Sequence, residues 1–469
     1  MTGRESNPPA GTGRLASRLR RDLGTVQSYA ALIGVLIGAG IFRITSEAWV
    51  LSGPSVILGY LVLAPAVLAT SVAYAVFLST SLGREPGGEY THISRTFGGK
   101  GLAFVCVWLK IISYVGALAF LSRAFADYVI PLGNGALRAD AHRMPLALGS
   151  IFFFYLVHVF GIRWFGRIQV AMFAILSLSI LVLVVPGLFA IRIENYQPLF
   201  THGAGGFAAC LPALFFAYAG FESLAQTAGE VKDSRRRLPR VFLFGILATT
   251  VIFLLMSVVT FGVLPGEQLS RSTAPMSEVA AVYLPWGAAF LVSIGALMAL
   301  ATSLNATMLV PSRLGIVLAD DGLTPRWLGA VVRRTGTPVL GLSLTMAAGA
   351  LLLLSGQTSM ALNIAVFALE ILYFFHSLAL FLLPVRNPDL FREVRVRIPA
   401  VWQKIAAVVS MAAMGGLILV QVIQDGKMML RRDFTERLAT QSLTSLELAL
   451  FWGALGLGIY ALGRKRSRP

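Results

Sequence analysis

The chain has 469 residues, of which 56% are hydrophobic and only 13% are charged. Soluble proteins carry about 25% charged residues, so this composition excludes a soluble enzyme. The apolar residues fall in blocks of roughly 20 or more, the length that a helix needs to cross the hydrocarbon core of a bilayer. The sequence therefore predicts an all-α integral membrane protein.

The excess of basic residues follows from the predicted topology. There are 39 Lys and Arg residues against 22 Asp and Glu residues, which gives a net charge of +17. Most of the basic residues fall in the two tails and in alternate loops, as expected for the cytoplasmic side of a membrane protein. We therefore predict a protein of the cytoplasmic membrane with both termini inside, and no nucleic-acid partner. The basic tails would contact anionic membrane lipid.

Twelve apolar segments are predicted to span the membrane, at residues 24–50, 54–80, 100–131, 145–162, 167–191, 205–229, 238–264, 284–319, 338–356, 360–384, 402–423 and 445–463. The predicted organisation is a cytoplasmic tail at 1–23, spans 1–5 at 24–191, spans 6–10 at 205–384, spans 11–12 at 402–463, and a second tail at 464–469. Because five is an odd number, the second set of five spans would cross the membrane in the opposite sense to the first.

Spans 1 and 6 contain glycine-rich interruptions, at Gly34-Val35-Leu36-Ile37-Gly38-Ala39-Gly40-Ile41-Phe42 and Phe215-Phe216-Ala217-Tyr218-Ala219-Gly220-Phe221-Glu222. Small residues can simply allow neighbouring helices to pack closely. However, these two spans are the first members of two successive five-span sets. Interrupted helices at corresponding positions of inverted halves are typical of a transporter substrate site at the membrane midplane.

Motifs in chain order carry a resemblance to a known family. They include Gly38-Ala39-Gly40-Ile41-Phe42, Pro86-Gly87-Gly88-Glu89-Tyr90, Phe216-Ala217-Tyr218-Ala219-Gly220-Phe221-Glu222, Gly229-Glu230-Val231-Lys232-Asp233 and Ala319-Asp320-Asp321-Gly322. The chain resembles the amino acid–polyamine–organocation transporters over roughly residues 24–384. The resemblance implies a leucine-transporter-type fold, with a five-plus-five inverted repeat, two added C-terminal helices, broken spans 1 and 6, and alternating access.

An amino acid substrate carries a carboxylate and an ammonium, and both must exchange water for protein hydrogen bonds. Free N–H groups at the start of a half-helix favour the carboxylate, and free C=O groups at the end of a half-helix favour the ammonium. We predict that the N–H groups around Gly38 to Gly40 bind the carboxylate and that Phe216, or its neighbour Phe215, covers the side chain. The ammonium is predicted to bind carbonyls near Ile37 in span 1 and of Phe216, Ala217 and Ala219 in span 6. The whole predicted site comprises Ile37, Gly38, Ala39, Gly40, Ile41, Phe216, Ala217, Tyr218, Ala219 and Gly220.

Glu222 is the one carboxylate of the two interruptions, which favours neutral amino acids as substrates. The alternatives are an exchanger of polyamines or cationic amino acids, and a non-transporting receptor of the same fold. The five histidines are scattered over different loops and spans. An enzyme is therefore not expected, nor is a cofactor or a bound metal.

Ionisable residues within the membrane are candidates for proton coupling because burying them is costly. These are Glu222, Glu370 and Lys110, of which the last two could pair across helices, or Lys110 could extend toward the cytoplasm. Local ion pairs are expected for Arg43 with Glu47 and for Arg123 with Asp127. We expect His158 and His376 to be packing residues.

The resemblance also implies a possible sodium site, formed by Thr302 and Ser303 with carbonyls of Gly34, Ile37 and Ala299. Some proton-coupled relatives place a Lys of span 5 in that space. The corresponding position here would be near Leu176, and span 5 contains no Lys. This departure argues against the lysine mechanism and leaves sodium coupling, proton coupling through Glu222 or Glu370, and uncoupled transport or exchange as alternatives.

Overall fold

The computed structural model describes residues 14–133, 135–272, 275–431, 433–439 and 443–466. The start and the end of the predicted tails, residues 1–13 and 467–469, lie outside the described residues. So do the side chains of the predicted Arg43–Glu47 pair.

The described part of the chain is helical and contains no strand. In chain order its α-helices are α1 Thr25–Ala39, α2 Thr45–Ser52, α3 Val56–Ser79, α4 Glu89–Phe97, α5 Lys100–Leu132, α6 Ala139–Val159, α7 Ile162–Gly187, α8 Gly203–Tyr218, α9 Ser223–Gln226, α10 Ser234–Val263, α11 Gly266–Arg271, α12 Pro275–Tyr283, α13 Trp286–Asp320, α14 Val339–Leu354, α15 Thr358–Arg386, α16 Pro388–Arg392, α17 Ala400–Arg431, α18 Phe434–Ala439 and α19 Ser445–Arg466.

Nine helical segments among the described residues are long and apolar enough to cross a bilayer, at Thr25–Phe42, Ala48–Ser79, Lys100–Leu132, Ile162–Gly187, Gly203–Gln226, Ser234–Val263, Trp286–Asp320, Ile364–Arg386 and Ala400–Arg431. Val339–Leu354 and Ser445–Ala461 are shorter apolar helices. The predicted all-α membrane protein is confirmed at this level, whereas the count of twelve spans and the inverted repeat stay predictions.

Hydroxyl groups within the apolar helices bond back to the helix that carries them. Thr249 Oγ1 donates to Gly245 O at 2.9 Å, and Thr345 Oγ1 donates to Gly341 O at 2.8 Å. Such a bond satisfies the hydroxyl without a partner from another helix, so an apolar span can contain Ser and Thr.

Helix α1 lies at the centre of the bundle, in contact with α7, α10 and α13. Its side chains Leu32, Leu36 and Ile37 are fully or almost fully buried. Helix α5 packs against α13 and α15, and α3 packs against α10 and α17. The interruption in α1 is therefore enclosed by other helices rather than exposed to lipid.

Buried polar contacts close the end of the bundle that carries the N-terminal segment. Leu23 N–H donates to Glu230 O at 3.0 Å, and the Glu230 carboxylate accepts from Arg313 Nη2 at 3.1 Å. Asp320 at the end of α13 accepts from the N–H groups of Leu15 and Ala16 at 2.7 and 3.0 Å. The segment before α1 is thus attached to α13 and to the loop after α9.

The buried Arg313–Glu230 pair should be important for stability. Arg313→Met leaves the Glu230 carboxylate buried without its counter-charge, and we expect a loss of about 3–5 kcal/mol in the free energy of unfolding. The thermal unfolding midpoint in detergent measures the loss, and adding Glu230→Gln should recover part of it. Arg392→Met removes an exposed pair with Asp389 and serves as the control. Equal midpoints for Arg313→Met and the unmodified protein would contradict this role.

Candidate functional site

Helix geometry is lost in the middle of the first membrane segment. Gly38 has φ −1° and ψ −132°, and residues Gly40–Ile44 form a π-helical turn before α2 begins. Gly40 N–H donates to Ile37 O across this point. The regular pattern of backbone hydrogen bonds is thus interrupted within the predicted sequence Gly38-Ala39-Gly40.

A second interruption follows α8. The helix ends at Tyr218, Ala219 is extended, and Gly220 has a φ of +104°, a value that residues with a Cβ rarely adopt. The short helix α9 then begins at Ser223. Ala219 N–H donates to Phe216 O at 3.0 Å.

The two interruptions face each other at close range. A Cβ on Gly40 would lie 2.5 Å from Ala217 Cα, and a Cβ on Gly38 would collide with Ser303 Oγ on α13. Glycine is therefore required at position 40, where the neighbour is backbone, whereas a side chain at position 38 would force the Ser303 hydroxyl to move.

A small cavity of about 40 Å³ lies between the interruptions. It is lined by Val35, Leu36, Gly40, Ser113, Tyr114, Ala117, Leu121, Phe216, Ala219, Gly220, Ser303, Thr307 and Leu369. None of these residues carries a charge. The polar side chains that line it are hydroxyl groups.

The structure brings together part of the predicted substrate site. Gly40, Phe216, Ala219 and Gly220 line the cavity, and the Phe216 ring meets Phe120 edge-on at 6.1 Å between centroids. Five other predicted residues lie behind the lining, namely Ile37, Gly38, Ile41, Ala217 and Tyr218.

Tyr218 points away from the cavity. Its hydroxyl donates to Tyr60 O at 3.2 Å on the side of α3. Phe215 is buried against Tyr373 and does not line the cavity either. The Ala39 side chain lies outside the described residues.

Several lining residues were not predicted from the sequence. On α5, the positions Ser113, Ala117 and Leu121 are four residues apart and present one helix face to the cavity. On α13, Thr307 lies one turn beyond the predicted Ser303. The hydroxyl residues in these otherwise apolar spans could have indicated the cavity lining. However, the sequence does not show which face of each helix points toward the cavity.

Glu222 accepts hydrogen bonds from three separate parts of the fold. Its Oε2 accepts from Gly220 N–H at 2.9 Å and from the Tyr373 hydroxyl of α15, and its Oε1 accepts from the Tyr114 hydroxyl of α5 at 2.7 Å. The side chain is fully buried. The carboxylate therefore satisfies backbone at the second interruption and joins it to α5 and α15.

The predicted pairing of Lys110 with Glu370 is wrong, and Lys110 does not extend toward solvent. Lys110 Nζ lies 2.9 and 2.8 Å from the two carboxylate oxygens of Glu89 on α4, and both side chains are fully buried. Glu89 also accepts from Gln226 Nε2 at 2.7 Å and from the Tyr74 hydroxyl. Glu89 can reach Lys110 because α4 packs against α5.

Glu370 has a different environment. It is fully buried, and neither carboxylate oxygen has a hydrogen-bond partner among the described residues.

The predicted Arg123–Asp127 pair is also wrong. Asp127 accepts from Arg143 Nε at 2.7 Å, because α6 brings that guanidinium against α5, and Arg123 Nη1 lies 3.4 Å from Thr358 Oγ1.

The predicted packing histidines make hydrogen bonds within the core. His158 Nε2 lies 2.8 Å from Asn305 O, and His376 Nε2 lies 2.9 Å from His92 Nδ1. Burial, with a further contribution from the nearby Lys110, lowers the pKa of His92 to about 3. His92 is therefore neutral near pH 7 and can share one proton with its neighbour in the hydrogen bond.

The predicted sodium ligands are partly brought together where α1 meets α13. Thr302 Oγ1 lies 2.8 Å from Gly34 O and 2.7 Å from Ala299 O. Ser303 Oγ lies 3.0 Å from Val35 O, so Val35 supplies the neighbouring carbonyl where Ile37 was predicted.

Gln169 is the polar residue that α7 contributes where α1 meets α13. The sequence comparison had instead pointed to the position near Leu176. Its Nε2 lies 3.3 Å from Ala30 O and 3.4 Å from Thr302 O.

A methyl group at Gly40 should destabilise the protein. Gly40→Ala forces the new Cβ against the Ala217 backbone, and we expect a loss of about 1–3 kcal/mol, as in other overpacked cores. Gly416→Ala on α17 is the matched control because no atom lies within 4 Å of its added Cβ. Thermal unfolding midpoints in detergent compare the two variants. If both behaved alike, the close contact would not be a constraint on the fold.

Comparison with known proteins gives the family. The profile of the family described as "Amino acid permease" matches residues 23–429. The branched-chain amino acid permease of Bacillus subtilis is 26% identical over 68% of this chain and 71% of its own length. The cationic amino acid transporter 1 of Arabidopsis thaliana is 29% identical over 68% of this chain and 55% of its own length.

The mouse Asc-type amino acid transporter 1 is 26% identical over 81% of this chain and 73% of its own length. These relatives are permeases and transporters rather than enzymes, and they agree with the resemblance seen in the motifs. The chain belongs to the amino acid permease family.

Proposed function

We propose that the protein is a secondary transporter that moves neutral amino acids across the cytoplasmic membrane by alternating access. The substrate would bind in the cavity between the interruptions of α1 and α8. The observation that carries the proposal is this cavity, which touches both interruptions and has no charged side chain in its lining.

The lining of the cavity favours a substrate with a neutral side chain over a substrate with a cationic one. A substrate cation would need a carboxylate, and the nearest candidate, Glu222, already accepts hydrogen bonds from Gly220 N–H, Tyr114 and Tyr373. Apolar side chains such as Val35 and Leu369, together with Phe216, suit an uncharged side chain instead. The names of the relatives include both branched-chain and cationic substrates, so family membership alone does not choose between them.

The backbone at the interruptions would bind the charged ends of the amino acid. We propose that N–H groups around Gly38, Ala39 and Gly40 bind the carboxylate, although Gly40 N–H already donates to Ile37 O. The ammonium would bind carbonyls of α8, where Phe216 O accepts from Ala219 N–H and retains a second lone pair.

The proposed inverted repeats comprise residues 24–191 and 205–384. In support of them, 13 residues of α1 precede the non-helical Gly38, and α8 runs for 16 residues before its interruption. Both helices would begin a repeat, so the two interruptions would lie at equivalent depths. Residues 402–463 would add the last two spans, and both termini would be cytoplasmic.

Two sites are candidates for ion coupling. The junction of Gly34 O, Ala299 O and Thr302 Oγ1 supplies the hard oxygen atoms that sodium prefers. Glu370 supplies a buried carboxyl group that could bind a proton, because its oxygens have no partner among the described residues. Lys110 is less suited to that role since Glu89 already neutralises it.

Ligand-induced stabilisation tests the proposed substrate class. Neutral amino acids, cationic amino acids and polyamines are each added to the purified protein, with and without sodium and at two pH values. A ligand that binds the folded state at about 100 times its dissociation constant adds roughly 2.7 kcal/mol. We expect neutral amino acids to raise the unfolding midpoint. A rise with cations alone would contradict the proposed selectivity.

Uptake into proteoliposomes tests transport itself. Gly40→Val should abolish uptake of the stabilising amino acid, because its side chain would occupy the approach to α8, whereas Gly416→Val on α17 should retain it. Thr302→Val removes the sodium dependence if the α1–α13 junction couples transport, and Glu370→Gln removes the pH dependence if the carboxyl group does. Binding without uptake by the unmodified protein would favour a receptor of the same fold.

A further inference from the structure

A groove rich in arginine lies beside the start of α10, remote from the substrate cavity. It has a volume of about 570 Å³ and is lined by Ser79, Arg235, Arg236, Pro239, Arg240, Leu243, Arg395, Val396, Arg397 and Ile398. None of the lining residues that the structure describes is acidic. Five guanidinium groups therefore face one concave surface.

Most of this positive charge is not neutralised by an ion pair with a residue that the structure describes. Arg235 Nη2 lies 3.7 Å from Glu393, and its Nε donates to Ser79 O at 3.2 Å. Among the described residues, the exposed side chains of Arg236, Arg240, Arg395 and Arg397 have no salt-bridge partner. Glu393 is itself held at the rim by Ser81 N–H at 2.7 Å.

The position of the arginines on α10 is electrostatically unfavourable without an anion. Arg235, Arg236 and Arg240 lie in the first two turns of this 30-residue helix. The helix dipole is positive there and stabilises anions rather than cations. A bound anion would compensate both the dipole and the guanidinium groups, and Arg forms bidentate hydrogen bonds with phosphate.

Apolar surface continues from the groove along the bundle. Leu243, Val396 and Ile398 belong to the lining, and Phe244 and Trp402 nearby are 61% and 62% exposed. The helix between them is α3, which packs against both α10 and α17. A free phosphate ion would use only the arginines, whereas a phospholipid would also cover this apolar surface with its acyl chains.

We propose that the groove binds the phosphate headgroup of an anionic phospholipid, with the acyl chains against α10 and α17. Its location at the end of membrane helices agrees with basic pockets that bind acidic lipid headgroups. The proposal is independent of the amino acid site. Failure of amino acids to bind would not affect it, nor would failure of lipid binding affect the substrate proposal.

Lipid binding to the purified, delipidated protein tests the site. Dihexanoyl phosphatidylglycerol is titrated and the thermal unfolding midpoint is followed, with dihexanoyl phosphatidylcholine and inorganic phosphate as separate arms. The site variant combines Arg240→Gln with Arg395→Gln. The control combines Arg333→Gln with Arg334→Gln, which removes the same charge from exposed positions in the loop between α13 and α14.

We expect phosphatidylglycerol to stabilise the protein and the site variant to bind it about 25-fold more weakly, at about fivefold for each arginine lost. The control should bind within about twofold of the unmodified protein. If the site variant is unstable without lipid, the Arg236→Gln variant replaces it, with about fivefold weaker binding expected. Equal weakening in the control, unchanged binding by the site variant, or equal affinity for inorganic phosphate would each overturn the proposal.

Discussion

Every peptide N–H and C=O group inside a bilayer needs a partner, and the arrangement of this protein depends on how that requirement is met at two interruptions. At the second, Gly220 N–H reaches the Glu222 carboxylate, and Ala219 N–H reaches Phe216 O. At the first, Gly34 O and Val35 O accept from hydroxyls of α13. Because these backbone groups have hydrogen-bond partners, the chain can depart from helical geometry inside the bundle, and a cavity can form at that point.

The sequence predicted the features that depend on local pattern. Apolar blocks marked the long helices, and the glycines around Gly38 and Gly220 marked both interruptions, since glycine tolerates close approach and positive φ. Features that depend on helix rotation were missed. Ser113 and Thr307 line the cavity because α5 and α13 turn those faces inward, and no local pattern in the sequence specifies such a rotation.

The partners of the buried charges were equally difficult to predict. Lys110 pairs with Glu89, which lies on a short polar helix that reads as a loop in the sequence, and Asp127 pairs with Arg143 of the next helix. Both pairs join different helices, so the spacing rule for pairs within one helix does not apply to them. Lys110, which is paired with Glu89, is not among the residues that line the cavity.

The three donors to Glu222 come from the interruption itself, from α5 and from α15. Separation of any two of these elements must break at least one hydrogen bond to a buried carboxylate, at a cost of about 1.5–3 kcal/mol unless water replaces the donor. The carboxylate is not among the residues that line the cavity. Under the alternating access proposed above, any movement that separates these elements would have to break a hydrogen bond to Glu222, so this carboxylate would add to the barrier of that movement without contacting the substrate.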